Sequence, residues 1–440
     1  MVTGHIQPGG ALESQGLRHA HDPTVVRSDD GTYWMFSTDA LANSADVPAG
    51  VHVRRSQDLV TWEYAGTALD GVPGPAAQWT GAAGLWAPDV VRWTDGSWRM
   101  YYSASTFGSR TSAIGLAVAA HPGGPWTDRG LVLKTTQGES GHNAIDAAVS
   151  FDRSGDPWLA YGSFFDGIYT LKLDPRTGLA AEDGPGTLLA RRPPSVDGAV
   201  EGAFILYRPQ EDRYVLFLSY DSLFGTYNIR TAVAAEITGP YRDWNGHLLT
   251  EAEPEPGAAG TKILGSYGFP GGTRWLAPGH NSIFTDTGLT DTSFSAAGQE
   301  TDEYFMVHHV RFAEDPSQHT AHLRRLYFTA GGWPVTSPQP FAGRETERLP
   351  EPSGVDGSWL VAQMDPLSTE PVSARRMTLA SPELPASDGT PSTARVLVNG
   401  TEIDAVVFAG QDWAGGRISL CFSGIDAGGT AWFGTREGEL

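Results

Sequence analysis

The chain has 440 residues, 51 of them Asp or Glu against 30 Lys or Arg, for a formal net charge of -21. A chain this acidic repels nucleic acid and anionic membranes, so neither is expected as a partner, whereas a neutral polymer such as a polysaccharide is compatible with it. The single cysteine, Cys421, excludes an intrachain disulfide and a cysteine-based metal site, and no apolar run is long enough to span a membrane.

The stretch from Met1 to Ala20 has no apolar signal core. It leaves two readings: a cytoplasmic protein, or an extracellular one whose leader has been removed and Met1 added. Beyond it, one pattern recurs five times: a polar residue near Pro or Gly, a β-rich run, usually a turn, then an aromatic-rich strand. The first copy is His21-Asp22-Pro23-Thr24-Val25-Val26, turn Asp29-Asp30-Gly31, then Tyr33 to Phe36. The second is Ala87-Pro88-Asp89-Val90-Val91, turn Thr94-Asp95-Gly96, then Trp98 to Tyr102. The third runs from Ala144-Ile145-Asp146 through Arg153-Ser154-Gly155 to Trp158–Tyr161. The fourth is Val200-Glu201-Gly202-Ala203, then Arg213 to Leu218; the fifth is Pro278-Gly279-His280-Asn281-Ser282, then Tyr304 to His308. Each copy reads as a β-hairpin. Val53–Ser56, Ala117–Ala120 and Ala232–Ala235 read as further, outer strands.

The copies are spaced by roughly 55 to 80 residues, longer than a WD40-type unit of about 40–45. Five such units predict an all-β, five-bladed β-propeller over residues 1–348, with innermost strands lining a central channel. Aligning the copies puts Asp22, Asp89, Asp146, Glu201 and His280 at matching positions near one channel mouth. Taken singly, an Asp before a strand is a turn residue bonding its own backbone; five polar residues at one phase argue for a shared cavity. The fifth copy is split by a polar insertion, Asp286 to Asp302, expected as a surface loop. The Pro/Glu-rich segment 349–354 reads as a linker. Residues 355–440 carry short β runs, among them Ser358–Gln363, Ala394–Val398, Ala405–Phe408 and Ile418–Phe422, and predict a small C-terminal β-barrel or sandwich with an accessory or structural role.

Converging carboxylates suit glycoside hydrolysis, in which one acid stays ionised and another keeps its proton through a raised pKa. Asp22, Asp146 and Glu201 are available for these tasks, and spacing alone does not apportion them. Sugar rings pack C–H faces on aromatic side chains. Trp86 and Phe107 are read as substrate contacts, with Asp89 beside Trp86 facing the same cleft; Phe165 and most of the fourteen Trp are read as packing. His280 is either a hydrogen-bonded core residue or a ligand to a hard cation held mainly by water and oxygen.

Further segments sharpen this reading: Leu85-Trp86-Ala87-Pro88-Asp89, Tyr102 to Ser109, Asn143-Ala144-Ile145-Asp146, Tyr161-Gly162-Ser163-Phe164, Pro278-Gly279-His280-Asn281-Ser282, and Leu326-Tyr327-Phe328 to Gly332-Trp333-Pro334 onward. With His21-Asp22-Pro23 they make the chain resemble glycoside hydrolase family 43, within it the two-domain endo-α-1,5-L-arabinanases. The resemblance implies Asp22 as general base, Glu201 as general acid and Asp146 as the residue that raises and orients the acid. It implies inversion, with carboxyl groups roughly 6.5–9.5 Å apart, a calcium ion held by His280, and substrate contacts from Trp86, Phe107, Asn143 and Ser163. It also implies arabinan and arabino-oligosaccharides as substrates, and the protein is expected to be a monomer acting outside the cell. Two departures stand out: Glu201-Gly202-Ala203 lacks the usual Pro, and Ser222-Leu223-Phe224-Gly225 replaces a Cys pair. An exo-arabinanase, an α-L-arabinofuranosidase or a β-xylosidase would use the same scaffold. A non-catalytic carbohydrate-binding propeller would not need three acids at one mouth, and an interaction scaffold would not need an acidic, aromatic one.

Overall fold

The computed structural model describes residues 16–438, apart from 45, 252–258, 287–302, 382 and 385. The expected surface insertion therefore lies outside the described residues except for Asp286, as does most of the N-terminal stretch.

Each repeated hairpin opens an antiparallel sheet. Four sheets have four strands, beginning with Thr24–Arg27, Trp86–Arg92, Ala148–Phe151 and Val200–Arg208. The fifth is built on the long strand Arg274–Asp286 and its partner Glu303–Phe312. The hairpin turns of the first three sheets place Gly31, Gly96 and Gly155 at φ of 87°, 83° and 84°, a conformation that glycine adopts without steric cost. His52–Ser56, Ser112–Ala119 and Asn228–Ala234 follow as third strands, as their sequence suggested. The five opening strands touch in cyclic order, the fifth closing back on the first. Their side chains alternate between neighbouring sheets, so the core is a set of inter-sheet clusters such as Phe36, Leu85, Met100 and Tyr102.

A network of charges locks the seam between the first and fifth sheets. Buried Asp286 accepts from the Tyr33 hydroxyl and from Arg344 Nη2 at 2.7 Å, while Arg344 Nε donates to Glu303 at 2.6 Å. Arg325 bonds Glu303 and Glu347, the latter at 2.9 Å.

The C-terminal part forms a closed barrel: Gly357–Met364, Arg375–Ala380, Ser392–Val398, Thr401–Asp412, Arg417–Asp426 and Ala431–Arg436. Its Phe408 and Phe433 share one core cluster with Val215, Met306 and Trp333 of the fourth and fifth sheets. Val372–Ser373 adds a parallel strand to Tyr267–Gly268 of the fifth sheet. Of the segment read as a linker, Ser353–Gly354 pairs with Ala386–Ser387 and Leu349 packs on the barrel core.

Candidate active site

The functional side chains are set by one repeated backbone distortion. At or near the start of the first four innermost strands, and midway along the fifth, a residue takes a positive φ: Asp22 (49°), Ala87 (40°), Asp146 (60°), Gly202 (59°) and His280 (48°). For the four non-glycine residues such a conformation costs about 1–3 kcal/mol each and persists only where its surroundings hold it. The hold is visible. The amide of Ala87 donates to Thr38 Oγ1 at 2.8 Å, that of Asp146 to Ser103 Oγ at 2.9 Å, and that of His280 to Ser219 Oγ at 2.7 Å. His309 Nδ1 plays the same part for the Asp22 amide at 3.4 Å. In each case the second strand of one sheet, or for Thr38 the residue just after it, pins the kink of the next. The fourth sheet is the exception: the Gly202 amide donates to Asp146 Oδ2 at 3.3 Å, and Ser163 donates instead to Glu201 Oε2 at 2.6 Å.

This phase corrects one expectation. The residue equivalent to Asp22 in the second sheet is Ala87, and Asp89 lies two positions further along the strand. Asp89 is buried outside the cavity lining, accepting from Thr24 Oγ1 at 3.1 Å and from the Val149 amide at 2.7 Å. It ties three sheets together and does not face the cleft. Burial pushes its carboxyl up to about 6, against the pull of those hydrogen bonds.

The other expected residues converge. Asp22, Trp86, Phe107, Asn143, Asp146, Ser163, Glu201 and His280 all line one cavity of about 810 Å³. Asp22 Oδ2 accepts from Thr38 Oγ1 at 2.6 Å. Its Oδ1 lies 2.8 Å from His21 Nδ1, 3.2 Å from His280 Nδ1 and 3.3 Å from His309 Nδ1. Burial alone would raise Asp22, but the imidazoles of His21 and His280, with His309 close by, hold it well below the usual carboxylate range. Asp146 is the opposite case. Burial first, then the charges of Glu201 and Asp22, push it well above that range. Asp146, beside Glu201, is thus the carboxyl that retains its proton where Asp22 has none.

Glu201 is gripped at both oxygens, by Ser163 and by the Tyr227 hydroxyl, which donates to Oε1 at 2.8 Å. Hydroxyls can donate or accept, so this grip holds the carboxyl in either protonation state. Tyr227 fits because position 279 is glycine: a Cβ there would come 1.9 Å from the tyrosine ring. Tyr227 belongs to no repeat and was not foreseen, nor were Thr38 and His21 as partners of Asp22. His309 carried a hint, because it stands opposite Gly279 in the fifth hairpin. Phe165, expected as packing, lines the cavity with Arg110 4.6 Å from its ring centroid.

Residues 17–334 match the description of glycosyl hydrolases family 43. The chain belongs to this family. It is a glycoside hydrolase, similar to an extracellular endo-α-(1→5)-L-arabinanase of Thermotoga petrophila, at 32% identity over 79% of this chain and 76% of that one. A second such enzyme, from Bacillus subtilis, is 30% identical over 78% of this chain and 75% of the other. Among solved structures, the endo-1,5-α-L-arabinanase of Thermotoga petrophila superposes with a TM-score of 0.78 and 26% identity, covering 96% of this chain and 99% of that one.

Within the family frame nothing in the structure explains the first departure, Ala203 in place of Pro; beside it Gly202 carries the kink of the fourth sheet at φ 59°, and a Cβ there would meet His280 at 3.1 Å. The second departure, Ser222 to Gly225, forms a compact turn in which the amides of Gly225, Thr226 and Tyr227 all donate to the Ser222 carbonyl.

Proposed function

We propose that this chain is an endo-acting hydrolase of α-1,5-linked arabinan that works by single-step inversion. The observation carrying this reading is three carboxyl groups on one cavity in opposed settings: Asp22 ringed by imidazoles and held ionised, Asp146 pushed up by burial and by Glu201 and Asp22. In this reading Asp22 takes a proton from a water as its oxygen attacks the anomeric carbon. The bond to the leaving sugar oxygen breaks on the opposite face, and Glu201 delivers its proton there. Asp146, anchored on the Gly202 amide, keeps that proton available. Trp86, Phe107 and Asn143 supply sugar contacts, and Ser163 orients the acid. The substrate class comes from the relatives, whose names describe extracellular action on α-(1→5)-L-arabinan; we accordingly place this chain outside the cell.

The cyclic contact of five sheets supports a five-bladed β-propeller over residues 1–348, with 349–354 as linker and 355–440 as an accessory β domain. We also assign a calcium ion to His280. Its Nδ1 faces Asp22, leaving Nε2 as the ligand atom on the cavity wall. A single imidazole nitrogen there fits a cation that keeps most of its water. Bound there, calcium would supply positive charge against the acids.

The test is a product time course on linear, debranched arabinan. A ladder of short oligosaccharides with a rapid fall in viscosity is expected. Arabinose or one short product alone would move the enzyme to the exo class, and no product would overturn the reading.

A further inference from the structure

Two large apolar side chains stand in solvent at the cavity rim: Phe107 is 80% exposed and Phe224 59%. Phe107 sits on the loop between Trp98–Ala104 and Ser112–Ala119 of the second sheet, Phe224 on the loop between Arg213–Tyr220 and Asn228–Ala234 of the fourth. Those sheets are not neighbours in the ring, yet the two rings meet, with centroids 6.3 Å apart and planes at 60°. Given the cyclic order of the sheets, this contact crosses the mouth as a chord. The third sheet, with Asp146, lies on one side; the first and fifth, with Asp22 and His280, lie on the other.

Phe224 is held there. Arg311, reaching from the fifth sheet, donates through Nε to the Leu223 carbonyl at 2.7 Å, and its guanidinium lies 5.2 Å from the Phe224 ring centroid. A second Arg311 bond, to the Pro316 carbonyl at 2.7 Å, fixes the arginine itself. The turn also ends at Tyr227, whose hydroxyl holds Glu201. A sugar between two aromatic faces needs about 3.5–4 Å on each side. Rings whose centroids are 6.3 Å apart leave no such slot.

We propose that Phe224 is a specificity-determining residue: paired with Phe107, it bridges the cleft, so that an unbranched chain passes beneath while sugars carrying side branches are held out until the rings part. This rests on the arabinan reading above. Parting an aromatic pair sets the size of the effect at about two- to tenfold in rate.

The test compares kcat/KM of wild type, Phe224→Ala and Phe224→Tyr on linear arabinan and on arabinan of the same backbone with arabinosyl branches. Thermal melting confirms the fold of each. The expected result is a branched-to-linear ratio about two- to tenfold higher in Phe224→Ala, with Phe224→Tyr keeping the wild-type ratio. An unchanged ratio in Phe224→Ala overturns the proposal. So does an equal loss on both substrates, which would make Phe224 a plain stacking platform, or a Tyr variant that behaves like the Ala variant. A wild type inert on linear arabinan would sink the arabinan reading itself, and this inference with it, before any variant is compared.

Discussion

Replacing Asp146 by Asn tests the electrostatic division of labour among the acids. The substitution keeps the side-chain shape and an acceptor for the Gly202 amide, but removes one ionisable group from the buried pair. Asp146 is pushed up by burial, then by Glu201 and Asp22, so the pair and Asp22 feel each other's charge. At an effective dielectric near 20, two unit charges about 5 Å apart couple by about 3 kcal/mol, which corresponds to about two pH units. The sign follows from charge: without a negative neighbour the remaining acid gives up its proton at lower pH. The alkaline limb of the kcat/KM profile on linear arabinan should therefore move about two units towards acid. Activity above neutrality should fall steeply, and activity near pH 5 much less. An alkaline limb that stays in place, or a loss uniform across pH, would refute the reasoning and leave Asp146 a merely structural residue.

Glu201→Gln should lower kcat by about 10²–10⁴-fold with little change in melting temperature; turnover at the wild-type rate would remove Glu201 from the acid role. Asp286→Ala strands Arg344 and the Tyr33 hydroxyl at the seam between the first and fifth sheets and should cost about 3 kcal/mol in urea unfolding. An unchanged midpoint would show that the seam does not limit stability. Burial holds His19 and His52 down to about 4 and His309 to about 3, so the unfolded chain binds more protons than the folded one below about pH 6.5. Melting temperature should thus fall as pH drops from about 6.5 to 4, although Asp39 and Asp89, both pushed up to about 6, gain protons in the folded state and offset part of it. A flat or rising profile over that range would contradict the sign. Chelation should lower activity or melting temperature if calcium sits at His280; an unaffected enzyme, metal-free by elemental analysis, would remove calcium from the account.

What was legible in the chain and what was not divide along a physical line. Hairpins are local: period-2 patterning and a turn glycine lie within about fifteen residues of each other, so Tyr33–Ser37 and Trp98–Ala104 could be read directly. Barrel strands with few apolar residues, such as Arg375–Ala380, could not. Asp89 was misplaced because the Asp-Pro of the first copy aligns with Ala87-Pro88, not with Asp89, and only the backbone kink reveals that phase. Tyr227 and Thr38 could not be found at all, since each acts through a partner from another part of the chain.

The same kink explains why catalysis sits where it does. A regular strand alternates its side chains between neighbouring sheets and aims none along the channel. A positive φ breaks that alternation at a matching position in each sheet, with a second at Ala277 in the fifth. The ring then collects five such positions, and their contents differ in kind: Asp22 and Asp146 carry acids, His280 an imidazole, while Ala87 and Gly202 carry none. At Gly202 the amide released from Ser163 goes to Asp146, and the serine hydroxyl goes to Glu201. One exchanged hydrogen bond in an otherwise repeated pinning scheme therefore binds the two acids of the pair into a single unit. This predicts that Ser163→Ala perturbs the pH profile, whereas Ser219→Ala, which pins only the backbone of His280, acts mainly on stability. Equal pH profiles for the two variants would show that the exchange has no catalytic consequence.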